Sequence, residues 1–505
     1  MNFKAKPRRS GHRPSVNSHR RRFAVALSML AILTALALIA FAAAVRAIGV
    51  APRLLGPYLE RRAMGHNALI ERTGAELNRF FQWLDRGPVE PRLVYPAWAL
   101  PPPAASVAAT PVAPGRSLVV VEAGQLRDAL RDAQAGDVIT IAPGTYRFEG
   151  RALDIARGGR PGAPISLRAP GPGTVTLQFA LLEGFHVRAP HWTFENLTIV
   201  GACGSHDACE HAFHVVGAAN GVVIRNNDLR EFNAHIKING ADGRFPDGGR
   251  IEGNRLTNSS PRATDAPVTP IDLVAASDWH VEGNFIADFV KGGGDRTSYG
   301  AFAKGGGSSN RFVRNVVLCE HRLRGAPGRR VGLSFGGGGS DPRGCRDGRC
   351  VFEHERGLMG DNLIASCSDN GIYVKRSART EILRNTLLDT AGINVRFVES
   401  SAFVDGNLLD GPMAAREGAT LHEGRNLSPS LMLLYLGVAP ARGAFVAAAD
   451  LDLRWRAAPP LRASAAVPAA DWPVGVDLCG QPRIGAGVFG AFADFSPCLR
   501  QPAAR

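Results

Sequence analysis

Seven short segments of this chain alternate apolar and polar residues with a period of two: AFHVV, HIKIN, PIDLV, GAFAK, GLSFG, GIYVK and GINVR. Period two marks a strand with one buried face, whereas helical repeats would need long stretches of period 3.6. An Asn followed by apolar residues recurs among them, in FENLTI, IRNNDL, EGNRL, EGNFI, VRNVVL, GDNLI, LRNTLL, DGNLL and GRNLS. These are Asn196, Asn226, Asn254, Asn284, Asn315, Asn362, Asn385, Asn407 and Asn426, at intervals of 30, 28, 30, 31, 47, 23, 22 and 19 residues. Short strands repeating at such intervals, with loops absorbing the variation, predict a solenoid. Strands one turn apart stack about 4.8 Å above one another, and stacked Asn form ladders along the axis, which suits a parallel β-helix. All nine Asn are therefore assigned to structure, and Asn196, in NLT, to the ladder rather than to a glycan.

The segments before the repeats follow other patterns. Residues 23–45, FAVALSMLAILTALALIAFAAAV, are apolar and uncharged, and about 20 such residues cross a bilayer as a helix. The basic tail at 1–22 keeps the N-terminus cytoplasmic and places the bulk of the protein in the periplasm, on a single-pass anchor in a bacterial inner membrane. The small residues near Val45 leave a cleaved, secreted form as the alternative. Residues 46–86 read as a juxtamembrane helix, best taken as a solvated stalk, and 87–116 as an extended Pro/Ala-rich linker. The expected fold class is all-β, with the β-helix at 117–430 and a capping segment at 431–505.

Charge changes little beyond this. The net charge is +14, but residues 1–62 hold 12 Lys and Arg against the single acid Glu60, which is +11 and leaves +3 for the other 443 residues. A nearly neutral body removes the main argument for nucleic acid as a partner. All eight Cys lie beyond the apolar segment, an even number that suggests disulfides in an exported protein. Cys203–Cys209 and Cys345–Cys350 would close small loops, Cys479–Cys498 would tie down the tail, and Cys319 and Cys367 would be left to pair.

Placing the strands in register puts Phe213, Ile236, Ile271, Ala301, Leu333, Ile372 and Ile393 inside. Two outward columns result. The first reads His214, Lys237, Asp272, Phe302, Ser334, Tyr373, Asn394, and the second Val216, Asn239, Val274, Lys304, Gly336, Lys375, Arg396. Lys375 and Arg396 are 21 residues apart, one turn, so they stand on adjacent rungs. Each cation disfavours the other's charge, and the lysine should yield, because Arg does not deprotonate in proteins. A lysine of lowered pKa is a usable general base.

The segment IYVKRSARTEILRNTLLDTAGINVRF resembles the chondroitinase B and alginate lyase family of polysaccharide lyases, in its pattern I-x-V-K…N…R-x-N-T…G-x-x-x-R. The openings QLRDALRDAQAGDVITIAPGTYR and GAPISLRAPGPGTVTLQ are similar to that family as well, and the likeness spans residues 120–410. It implies a right-handed β-helix, Lys375 as catalytic base, Arg396 as its partner cation, and β-elimination on a uronic-acid polymer. Tyr373 and Asn394 would then bind sugar or relay a proton, and Lys237, Asn239, Asp272 and Lys304 would line the groove. The family commonly carries acidic calcium ligands just before the lysine, where this chain has Ser368, Asp369 and Asn370. A hard cation needs more carboxylate or carbonyl oxygens than these, so calcium is disfavoured and neither a metal site nor a cofactor is expected.

Other constellations are weaker. The outward columns offer only Asp272 as a carboxylate, with Asp369 at a turn, too few for a glycosidase pair. Ser334 in GLSFG lacks the strand-to-helix elbow of a nucleophile. His206, Asp207, Glu210, His211 and His214 cluster in CGSHDACEHAFH, within a loop that a disulfide would close, and are read as loop polar residues rather than metal ligands. The Gly-rich runs lack the setting of a phosphate cradle and are read as rims over the groove. Two classes of function stay open: a lyase of acidic polysaccharide, and a non-catalytic polysaccharide-binding or envelope-assembly protein. Nothing in the sequence identifies a protein partner.

Overall fold

The computed structural model describes residues 16–96, 115–460, 475–483 and 487–499. Residues 1–50 form one unit and 51–505 another. In the first, helix α1 (Val16–Ile48) contains the stretch Phe23–Ile48, long and apolar enough to cross a membrane, which fits either a single anchor or a signal segment.

The second unit is a parallel β-helix. Three long sheets run along it: one of twelve strands from Ser117–Val120 to Thr420–Glu423, one of ten from Gly144–Glu149 to Leu408–Leu409, and a third, also of ten. The strands of the third are β1 (Leu153–Ile155), β2 (Glu183–Val187), β3 (His211–Val216), β4 (Ile236–Asn239), β5 (Ile271–Val274), β6 (Thr297–Lys304), β7 (Arg329–Phe335), β8 (Ile372–Lys375), β9 (Ile393–Arg396) and β10 (Met413–Arg416). Each pairs in parallel with its sequence neighbours in this sheet, so every turn of chain adds one rung. Right-handed coiling, which the resemblance implies, is also the hand that strand twist favours for parallel crossovers. Phe213, Ile236, Ile271, Ala301, Leu333, Ile372 and Ile393 all lie in the central core, as their alternation requires. Phe185 stacks on Phe213 at 5.2 Å between ring centres, continuing the apolar column one rung further.

The Asn ladder runs from Asn227 to Asn426. Each side-chain amide donates to the amide oxygen of the next rung, at 2.8–3.0 Å, through Asn254, Asn284, Asn315, Asn362, Asn385 and Asn407. The ladder therefore excludes Asn196 and Asn226. Those two occupy the preceding, left-handed turn position (φ 63° and 57°), which Asn tolerates better than most residues, and Asn226 donates to Asn196 at 3.3 Å. In the NN pair, the first residue makes the turn and the second enters the ladder.

The chain is not purely all-β. Helix α2 (Pro52–Ala63) and helix α3 (Ala68–Arg86) replace the single solvated stalk, and helix α4 (Ala123–Arg131) buries Leu126 and Leu130 against the first rungs. The first two dock on the solenoid through a buried ion network. Arg53 meets Asp85 at 2.5 Å and Asp389 at 3.1 Å, and donates to the Cys367 carbonyl. Arg86 meets Glu320 at 2.6 Å and Asp389 at 3.1 Å, while Arg324 and Arg330 close the group from the solenoid side. The surrounding guanidinium groups hold the Asp389 carboxyl well below the usual range against the cost of its burial.

Of the Pro/Ala-rich linker, residues 97–114 lie outside the described residues. Its start follows the solenoid: Tyr95 donates to Asp288 at 2.5 Å and stacks on His321. The described part of the closing segment packs along the side of the solenoid. Phe445, Leu453, Phe489 and Phe492 cover the outward residues Ala287, Leu318, Ala365 and Leu388 of the second sheet. The four disulfides are Cys203–Cys209, Cys319–Cys367, Cys345–Cys350 and Cys479–Cys498.

Candidate functional site

The outer face of the β1–β10 sheet holds the two columns. In the first, His214, Lys237, Asp272, Phe302, Ser334, Tyr373 and Asn394 are successive bridge partners. In the second, Asn239 pairs with Val274 and Val274 with Lys304, and Lys375 pairs with Arg396. Gly336 departs from its expected place between Lys304 and Lys375. Its φ is +96° and a Cβ there would fall 1.8 Å from the Lys375 carbonyl oxygen, so the chain leaves the sheet at this glycine.

The loop that begins there returns over both lysines. Lys375 Nζ donates to the Gly338 carbonyl at 2.7 Å and Lys304 Nζ to the Gly339 carbonyl at 3.0 Å. Buried Glu353 anchors the loop by accepting from Ser340 N (2.7 Å), Ser340 Oγ (2.8 Å) and Gly305 N (3.1 Å). Burial lowers the Lys375 pKa; Glu353 opposes this, and Arg376, Lys304 and Arg396 add to it. The lowering expected from the cation pair is present, but desolvation is its main cause and Arg396 a minor one. Lys304 is lowered in the same way, chiefly by burial.

Arg396 is held charged. Burial opposes the charge, but an ion pair with Glu417 and a hydrogen bond shared with Tyr373 outweigh it. One rung further Arg416 continues the column, making three cations in register. The side chains of Lys375, Arg376 and Arg396 surround the Phe397 ring, 5.9, 5.6 and 5.1 Å from its centre. Phe397 has a φ of 77°, an uncommon conformation for a bulky residue and one that collects at functional sites. Asn394 is buried, and its amide oxygen has no hydrogen-bond donor among the described residues.

The remaining expected residues are engaged elsewhere on the face. Lys237 forms an ion pair with buried Asp272 at 2.6 Å, so its charge is already compensated. Asn239 Oδ1 lies 2.7 Å from His214 Nε2. The residues before Lys375 do not fit calcium: Asp369 is buried against Asn370, from which it accepts two hydrogen bonds, and burial raises its pKa toward the neutral acid. The CGSHDACEHAFH cluster divides: His206 and Asp207 turn to the 263–264 segment, while Glu210, His211 and His214 stay together, with the His211 and His214 ring centres 5.2 Å apart. His206 accepts from Ala263 N and Asp207 bonds Thr264, while His211 faces the Ala234 carbonyl. Arg416, Phe397, Glu353 and Glu417 had no signal in the strand pattern as quoted, except that MAAR (413–416) extends the second column by one rung.

The middle of the face is covered: Phe302 and Ser334 are buried, and the loop after Gly336 lies over Lys304 and Lys375. A hollow of about 480 Å³ lies in the C-terminal segment, lined by Arg454, Trp455 and Asp494, and none of the cationic column borders it.

Fold and face together define a parallel β-helix with a cationic column on one exposed sheet. No family model matches the chain, and no curated protein matches it. Among solved structures it is similar to a pectate lyase, Pel9A, at 12% identity and a TM-score of 0.47, over 76% of this chain and 97% of that one. It is similar also to a rhamnogalacturonan lyase at 13% identity and a TM-score of 0.44, over 62% and 87%. An alginate lyase from Paenibacillus sp. str. FPU-7 is similar at 16% identity and a TM-score of 0.34, over 62% and 99%.

Proposed function

We propose that this protein binds an acidic, uronic-acid polysaccharide along the outer face of the β1–β10 sheet and cleaves it by β-elimination. The observation that carries this reading is the bridge pairing of Lys375 with Arg396, with the lysine pKa lowered and the arginine held charged. Neutral Lys375 takes the proton from C5 of the uronate. The C5–H electron pair forms a C4–C5 double bond, the C4–O bond breaks, and the leaving oxygen receives a proton. Arg396 stabilises the charge that develops on the uronate carboxylate. Tyr373, beside Arg396, supplies the leaving-group proton.

The test uses the full chain in detergent, wild type and Lys375→Ala, with alginate, chondroitin, hyaluronan and pectin. Ultraviolet absorbance of the unsaturated uronate should rise with wild type and stay flat with the variant. A second reading draws on the internal hydrogen bond from Lys375 to the Gly338 carbonyl: the face binds polysaccharide without cleaving it. Retention of these polymers by both forms, with no absorbance change in either, would favour that reading.

A further inference from the structure

The first column extends beyond His214 in the other direction. In β2, Phe185 and Val187 point into the core and His186 points out, so His186 and His214 are bridge partners on adjacent rungs, with ring centres 5.5 Å apart. Glu183, at the start of β2, reaches the same place. One carboxylate oxygen of Glu183 and one ring nitrogen from each histidine all lie within 4.8 Å of one another. A zinc ion with bonds of about 2.0–2.1 Å would draw such ligands to about 3.4 Å apart. All three side chains are partly exposed and can rotate that far without disturbing the core.

Groups around the cluster already orient the rings. His214 places Nδ1 2.9 Å from Glu183 Oε1 and Nε2 2.7 Å from Asn239 Oδ1. His186 Nδ1 lies 3.3 Å from Asp154 Oδ1. Asn239 and Asp154 are acceptors of the kind that hold metal-bound imidazoles in place from behind, while Glu183 faces His214 as a fellow ligand. The only other metal-capable group among the described residues, Cys345, Cys350 and Glu353, has its two sulfurs joined to each other and cannot offer thiolates.

We infer that Glu183, His186 and His214 form a binding site for a divalent transition metal of the zinc class. Two imidazoles and one carboxylate suit zinc, and calcium or magnesium poorly. Three protein ligands leave a fourth position open on the sheet face, for water or an oxygen of a bound glycan. His214 is five rungs from Lys375, about 24 Å at about 4.8 Å per rung. The metal is therefore separate from the elimination centre, and its binding is independent of the reading given for Lys375.

The experiment is calorimetric titration of the full chain, purified in detergent without a polyhistidine tag and stripped with chelator, using zinc and then calcium. Wild type should bind one equivalent of zinc and no calcium at this site. His186→Ala and His214→Ala should each weaken zinc about a hundredfold or more, and Asn239→Ala about tenfold. Lys375→Ala should leave the affinity unchanged. Absence of zinc binding, or an unchanged affinity in a folded His186→Ala/His214→Ala double variant, would overturn the site. If those variants do not fold, cobalt loading of wild type decides: the visible bands of a tetrahedral ion support the site, and their absence overturns it.

Discussion

The guanidinium of Arg53, on the first turn of α2, and the carboxylate of Asp389, on a turn of the solenoid, meet at 3.1 Å where both are buried. Arg86 and Arg324 share the same carboxylate. Arg53 and Arg86 would keep Asp85 and Glu320 without it, but removing one carboxylate from a buried ion group leaves positive charge uncompensated, which costs about 3–5 kcal/mol. Asp389→Ala is therefore expected to destabilise the 51–505 unit by that amount, read as a lowered midpoint in denaturant. Deleting residues 1–96 should have a similar effect, because it strips Glu320 and Asp389 of Arg53 and Arg86.

The same carboxylate sets an acid limit. Its folded pKa is depressed, so its contribution is complete above the unfolded value of about 3.9 and is lost as pH falls below it. Thermal unfolding between pH 7 and pH 3 should show stability falling at the acid end. In Asp389→Asn the fall should be shallower, from a lower starting point.

If Lys375 is the base, the rate of elimination rises with pH as the amine loses its proton, with a midpoint below the ordinary lysine value. Glu353 holds that midpoint up, so Glu353→Gln should move it to lower pH. A pH profile of kcat/KM for wild type and variant checks both the position and the direction.

If Arg396 meets the substrate carboxylate as proposed, Glu417, its ion-pair partner, competes for it. A partly exposed ion pair is worth up to about 1 kcal/mol, so Glu417→Gln should tighten polymer binding about two- to fivefold. Arg416→Ala should weaken it. Both are read from KM, or from retention on immobilised polymer.

Asn315 spans the longest interval of the ladder, accepting from Asn284 and donating to Asn362 and to the Val281 carbonyl. Its replacement by Ala should cost about 2–4 kcal/mol, because several buried groups lose partners at once. Denaturant unfolding of Asn315→Ala measures this.

Much of the solenoid was legible because its signal is local. Alternation within five residues tells in from out, and the 21-residue offset places Lys375 beside Arg396. What escaped was either at the ends of the columns or held by distant residues. The seven quoted strands begin at AFHVV; one rung earlier, EGFHV has the same alternation and supplies Glu183 and His186. The docking of α2 and α3 depends on Arg53 and Arg86 finding Cys367, Asp389 and Glu320, with sequence separations of 314, 303 and 234, for which no periodicity exists. The loop over Lys375 was visible only as a Gly-rich run. Its effect comes from carbonyls, which a sequence does not distinguish.

The interval from Asn315 to Asn362 is 47 residues and that from Asn407 to Asn426 is 19, yet each advances the ladder by a single amide. Rise along the axis is therefore uncoupled from the length of chain in a turn. Residues added to a turn spread sideways over the sheet face and leave the neighbouring turns in register. The segment from Gly336 to Glu353 is such an addition, inserted between the rungs of Lys304 and Lys375. Its length and composition can change, and with them what reaches those two amines, while the scaffold that aligns them stays the same.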